Sequence, residues 1–126
     1  MANTFKVKTL SAVKSDAADT LYSCAQSTTA VLLGLTVTNT NTTSAITCTA
    51  TLESDTSETK TVSSADDTTE TNTNVTLLPA TEIPIASSLE FFSGQKVVLQ
   101  ATDKIKVQTN QSGLSMDCTL SLMEIT

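Results

Sequence analysis

A chain of 126 residues with 26 Thr and 15 Ser, no His, Arg or Trp, and a formal net charge of −6 lacks the usual tools of two large functional classes. Proton transfer near neutral pH generally draws on His, and nucleic-acid binding on clustered Lys and Arg, so neither enzyme chemistry of that kind nor nucleic acid as a partner is expected. Three Gly and the lack of an apolar run near the ~20 residues of a bilayer span exclude collagen and a membrane helix, leaving one domain with an aliphatic core.

Charge is unevenly spread. Residues 1–15 hold Lys6, Lys8 and Lys14 without an acid, whereas 53–82 hold Glu53, Asp55, Glu58, Asp66, Asp67, Glu70 and Glu82 against Lys60 alone. Phe5–Leu10 sets Phe5, Val7 and Thr9 opposite Lys6, Lys8 and Leu10, the pattern of an edge strand whose lysines discourage unwanted pairing. Residues 1–15 are therefore expected as a basic N-terminal arm or edge strand, and 16–126 as a single β-sandwich domain. Ser15–Asp19 has room for about one helical turn.

From Ala30 to Thr38 the period is two, with Val31, Leu33, Leu35 and Val37 on one side and Leu32, Gly34, Thr36 and Thr38 on the other. Asn39–Ser44 has turn chemistry, and Ile46–Glu53 alternates again, with Ile46, Cys48, Ala50 and Leu52 inward. The acidic, Ser/Thr-rich stretch 54–73 fits no strand template; it reads as an exposed acidic loop or mobile hairpin with a brief strand at Lys60–Ser63. As a projecting contact loop it would meet a basic surface on a neighbour.

Asn74–Leu78 and Ser88–Phe92 are short strands around Pro79 and Pro84, whose missing donors keep 79–87 out of a central ladder. Lys96–Gln100 and Lys104–Thr109 follow, with Gly94 and Gly113 as turn glycines. Met116, Cys118, Leu120 and Leu122 then alternate with Asp117, Thr119, Ser121 and Met123. Thr is stiff at χ1 and favours pleated surfaces. About eight antiparallel strands result, an all-β single-domain sandwich whose spacing fits either a jelly-roll or an immunoglobulin-like topology.

Chemistry is sparse. Cys24, Cys48 and Cys118 are odd in number and match no metal spacing, which reads as buried reduced thiols in a reducing cytoplasm. Ser11 and Lys14 have Ser-x-x-Lys spacing without its companion motifs. The acidic groups follow no calcium loop, and Phe5, Tyr22, Phe91 and Phe92 read as core rather than as a sugar platform. No catalytic, cofactor-binding or metal-ligating set is expected, and no membrane partner. Lys6, Lys8, Lys14, Asp66, Asp67 and Glu70 are the candidate partner contacts.

Two stretches carry a resemblance. Leu21-Tyr22-Ser23-Cys24, with Thr28 through Asn39, and then Ile83–Glu90, Gly94–Leu99, Asp103–Val107 and Met116–Ile125, resemble small β-rich virion proteins of tailed bacteriophages, including marine and cyanobacterial phages. The acidic insert at 54–73 and Cys24 depart from that pattern. The resemblance implies a non-enzymatic structural part of a phage particle, made in the bacterial host cytoplasm and located in the virion. Within that class a capsid decoration or cement protein comes first, and a neck, tail or fibre-associated protein second. Its partners would be the major capsid protein or neck and tail proteins, together with further copies of itself, a trimer being one such homo-oligomer. A carbohydrate- or receptor-binding sandwich is the reading from outside that class.

Overall fold

Alternating aliphatics and β-branched threonines put the chain into strands almost throughout. The computed structural model describes residues 2–11, 13, 15–63, 66–92, 96–110 and 116–126; Lys14, Gly94 and Gly113 lie outside them. Among the described residues eleven strands and no helix occur: β1 (Asn3–Leu10), β2 (Asp19–Ser23), β3 (Thr29–Asn39), β4 (Ile46–Glu53), β5 (Ser57–Ser63), β6 (Asp66–Thr71), β7 (Val75–Ile83), β8 (Ser88–Phe91), β9 (Val97–Leu99), β10 (Lys104–Thr109) and β11 (Met116–Ile125). The eight expected strands correspond to β1, β3, β4 and β7 through β11. The additions are β2 and β6; the brief strand expected at Lys60–Ser63 lies within the longer β5, and the turn of helix at Ser15–Asp19 is a bend.

One sheet has the order β1-β11-β3-β8, with β9 also paired to β3, and a second has β2-β10-β4-β7. All pairings are antiparallel. They are also nested: β1 takes β11, β2 takes β10, β3 takes β8 and β9, and β4 takes β7, as in a chain doubled about its middle. Leu32, Leu35 and Val37 of β3 and Leu120 and Leu122 of β11 share one buried cluster with Ile46, Cys48 and Ala50 of β4 and Ile105 and Val107 of β10. Two sheets contributing to one core is consistent with a β-sandwich, and each fully buried Leu or Ile stabilises it by about 1.5–3 kcal/mol.

The uniform alternation expected along β3 does not hold. Leu122 faces Leu32 but Ser121 faces Gly34, leaving Leu33 as an extra residue. This bulge shifts the phase. Ala30 and Leu32 are buried before it and Leu35 and Val37 after it, while Val31 is only half-buried.

Pro79 lies within β7, on the edge of its sheet, where a missing donor is tolerated. The register slips there, and the Ala80 amide donates to Thr49 Oγ1 at 3.2 Å instead of to a ladder carbonyl. At the other end of the same sheet pair, Asn39 (1% exposed) acts as a polar hub. Its Nδ2 lies 3.1 Å from each of the carbonyls of Ser44, Ile83 and Pro84, its two N–H groups shared among the three acceptors, and its Oδ1 accepts from the Asn41 amide at 2.8 Å. The β3–β4 turn is thereby tied to the end of β7.

Residues 54–73 hold β5 and β6, a two-stranded sheet paired with neither larger one. Its described side chains are hydroxyls and charges. Thr59 and Thr69 share a hydroxyl hydrogen bond at 3.1 Å, Lys60 reaches Glu70 at 3.2 Å, and the Asn72 amide donates to the Thr56 carbonyl at 2.8 Å at the root.

Candidate functional site

Of the basic residues nominated by the sequence, Lys6 and Lys8 sit on β1, which among the described residues is hydrogen-bonded to β11 alone and is exposed along nearly all its length. Opposed residues of an antiparallel pair point to the same face. Lys6 opposes Leu122, Lys8 opposes Leu120 and Leu10 opposes Cys118, so the lysines share the face of the buried β11 residues. Inward-pointing charge of this kind blunts a sheet edge.

Lys6 Nζ lies 2.7 Å from Glu124 Oε1, and the Tyr22 hydroxyl donates to Glu124 Oε2 at 2.5 Å. Tyr22 belongs to the second sheet, so this trio ties β1, β11 and β2 together at the open edge. The Lys6 hydrogen bond, then that of Tyr22, holds the Glu124 carboxyl below its ordinary value of 4.5. Burial, then the Glu124 contact, pushes the Tyr22 phenol up. A carboxyl depressed on folding stabilises the protein above its unfolded pKa and loses that contribution as pH falls through the folded value. Wild-type stability should therefore drop more between pH 5 and 3 than that of Glu124→Gln, as measured by urea unfolding at each pH; parallel profiles would contradict the assignment.

Lys8 has no ion pair among the described residues. On the acidic side, Glu70 is engaged by Lys60 and stands directly across from Glu58, an unfavourable like-charge pair. Asp66 and Asp67 open β6, of which only the backbone is described at those positions. No ion pair joins the basic edge to the acidic hairpin among the described residues, and Lys14 lies outside them.

The face of β1 opposite the lysines corrects an expectation. Phe5 is 74% exposed and Val7 61%, so Phe5 is not core; Tyr22 and Phe92 are buried and Phe91 half-buried. The phase was legible in Leu10, which shares its side with Lys6 and Lys8. Register then places Phe5 beside Met123, Met123 beside Val31, and Val31 beside Val98. An apolar row thus crosses the outer face of the first sheet and ends at its free edge. Sequence reasoning missed it because its members come from four strands.

The three cysteines are free and buried. Burial raises all three thiols, Cys48 to about 11 and Cys118 to about 12. Thiols held protonated and covered are poor nucleophiles. Ellman's reagent at pH 8 should label none in the folded protein and all three in denaturant; rapid labelling of the folded form would show an accessible thiol.

A cavity of about 440 Å³ opens at the root of the β5–β6 hairpin, lined by Leu52, Ser54, Asn72, Val75, Val98 and Asp103 among others. Its walls come from β4, β7, β9 and the β9–β10 turn. No protein-family model, curated protein or solved structure matches the chain.

Proposed function

We propose that the chain is a non-enzymatic structural protein of a tailed-phage particle, a decoration or cement protein that binds the outer capsid shell and stabilises it. The nested pairing favours a jelly-roll sandwich over an immunoglobulin-like one, because winding a doubled chain so that successive pairs alternate between sheets yields the orders β1-β11-β3-β8 and β2-β10-β4-β7. Jelly rolls build viral capsid domains and lectins alike, and fold alone does not choose a function. The resemblance, which covers about residues 20–126, supports a place in the particle.

The observation that carries the contact role is the free β1 edge with its apolar row from Phe5 to Val98. Soluble proteins rarely leave contiguous apolar surface beside an open strand edge unless a partner covers it. Lys8, which has no ion pair among the described residues, and the acid-rich hairpin also suit head-to-tail attraction between copies, with a trimer as the working stoichiometry.

The test is the double variant Phe5→Ser, Val7→Ser. Both side chains are largely exposed, so stability should change by no more than about 0.5 kcal/mol, while occupancy on purified virions falls away. Wild-type occupancy would refute the edge as the contact. Deleting residues 1–14 is a poorer test, since β1 pairs with β11 from Cys118 to Ile125 and the buried Val13 amide donates to the Met116 carbonyl at 3.0 Å. Copy number separates the locations: hundreds per particle mean the shell, a dozen or fewer the neck or tail. Absence from virions ends the reading.

A further inference from the structure

Among the described residues β1 is a sheet edge with one partner strand, and the β5–β6 hairpin is a two-stranded sheet that neither larger sheet extends. Both are incomplete. An open edge presents unpaired backbone donors and acceptors, and an isolated two-stranded ribbon is marginal in water until a further strand joins it. The two lie on opposite sides of the first sheet. β1 closes one side, whereas the hairpin is rooted at the other, where Thr56 Oγ1 donates to Gln100 Oε1 at 2.7 Å just beyond β9.

Register fixes which backbone groups face outward. The Ala2 amide donates to the Thr126 carbonyl at 3.1 Å and the Thr126 amide to the Ala2 carbonyl at 3.0 Å, so these two residues form a hydrogen-bonded pair. Alternation along the antiparallel ladder then turns the backbone groups of Thr4, Lys6 and Lys8 toward β11, and those of Phe5, Val7 and Thr9 toward the open edge. In the hairpin, the Asn72 amide donates to the Thr56 carbonyl at 2.8 Å. By the same alternation the backbone of Thr68 and Glu70 bonds to β5, and that of Thr69 and Thr71 faces outward on β6.

We infer that β6 of a second copy of this chain adds antiparallel to the open edge of β1. Outward-facing groups must meet outward-facing groups, so every such register sets Thr69 and Thr71 on the Phe5 and Val7 face and Glu70 on the face of Lys6 and Lys8. Charge agrees with that parity. β1 carries Lys6 and Lys8 without an acid, β6 carries Asp66, Asp67 and Glu70 without a lysine, and Lys8 has no ion pair among the described residues. Lysines that deter an apolar strand thus admit an acidic one. β5 fits less well, because its Lys60 would fall on the lysine face, and a second β1 less well again, because it would set lysines beside lysines. With edge and hairpin on opposite sides of the chain, the contact runs head to tail and repeats from copy to copy. The inference rests on the reading of β1 as a contact edge.

The experiment is sedimentation velocity on the isolated chain, on Val7→Pro and on Thr69→Pro, at about 50 mM sodium chloride. Each proline removes one outward amide and no inward ladder bond, so both variants should keep the wild-type circular dichroism spectrum. Wild type should grow past the dimer as concentration rises and dissociate as salt is raised to roughly 500 mM. Each variant alone should stay monomeric, and their equimolar mixture should stop at twice the monomer mass, since each supplies the surface the other lacks. A wild type that is monomeric up to roughly 1 mM, a wild type that stops at the dimer, or either variant associating like wild type would overturn the proposal. Amide hydrogen exchange on the wild type decides the matter even if a variant folds poorly. Phe5, Val7, Thr69 and Thr71 should slow together by about tenfold as concentration rises, while Lys6 is slow throughout; slowing of the β1 amides alone, or of none, overturns it. A chain that stays monomeric yet needs Phe5 and Val7 for virion occupancy loses this inference and keeps the reading of the edge.

Discussion

Asn39→Asp is expected to lower the free energy of unfolding by about 4 kcal/mol, although it replaces one NH₂ group with an oxygen. The Asn39 amide nitrogen is met by three carbonyl oxygens, from Ser44, Ile83 and Pro84. An aspartate would set a charged acceptor against three acceptors in a site that is 1% exposed. Asn39→Ala leaves the same carbonyls unmet but adds no charge, so its cost should be smaller, on the order of 3 kcal/mol. The order of the two variants is the informative result, since side-chain volume alone predicts the reverse.

A pH series sharpens the contrast. Protonating the new carboxyl restores a donor, so the folded state binds that proton more readily than the unfolded chain. A group raised on folding contributes most favourably below its unfolded pKa. The deficit of Asn39→Asp should therefore shrink as pH falls from neutral toward 4, while that of Asn39→Ala stays level. Urea denaturation at each pH measures both, and an Asn39→Asp protein as stable as wild type at neutral pH would show that the hub does not hold the turns.

Leu32→Ala should cost about 3 kcal/mol and lower the melting temperature by about 10 °C, whereas Leu33→Ala, one residue along, should cost under about 1 kcal/mol. Leu32 is fully buried against the second sheet's residues; Leu33 is the extra residue of the bulge and only half-buried. A strand of unbroken alternation in phase with Leu35 and Val37 would give the opposite ranking. Calorimetry on the two variants reads the bulge directly.

Legibility in the sequence followed the physics of each strand. β4 and β11 are plain because each keeps one apolar phase: Ile46, Cys48 and Ala50, and Met116, Cys118, Leu120 and Leu122, are buried where alternation puts them, and only Leu52 at the end of β4 is half-buried. β3 was recognised but misphased, since a bulge is set by the partner strand and Gly34 alone does not announce it. Of β5 and β6 the sequence offers only a hairpin as one alternative and a brief strand at Lys60–Ser63, because alternation of hydroxyls and charges has little apolar contrast; cross-strand bonds such as Thr59–Thr69 and Lys60–Glu70 hold them instead. Phe5 was misread because hydrophobic character says little about direction on an edge strand. The Asp103 cavity was invisible for a different reason: Leu52, Asn72, Val98 and Asp103 are distant in the chain and meet only through the topology.

The nested pairing also dictates how the molecule must be born. β11 lies between β1 and β3, and β10 between β2 and β4, so strands synthesised after both of their neighbours fill the centres of the two sheets. Until they arrive, β1, β2, β3 and β4 each expose a ladder edge that will later be internal, and such edges template aggregation. Closure brings together residues as far apart as Asn3 and Ile125, which makes it slow. A nascent chain coated in threonine and poor in aromatics is well suited to that delay, because its waiting strands offer hydroxyls rather than sticky rings to their neighbours.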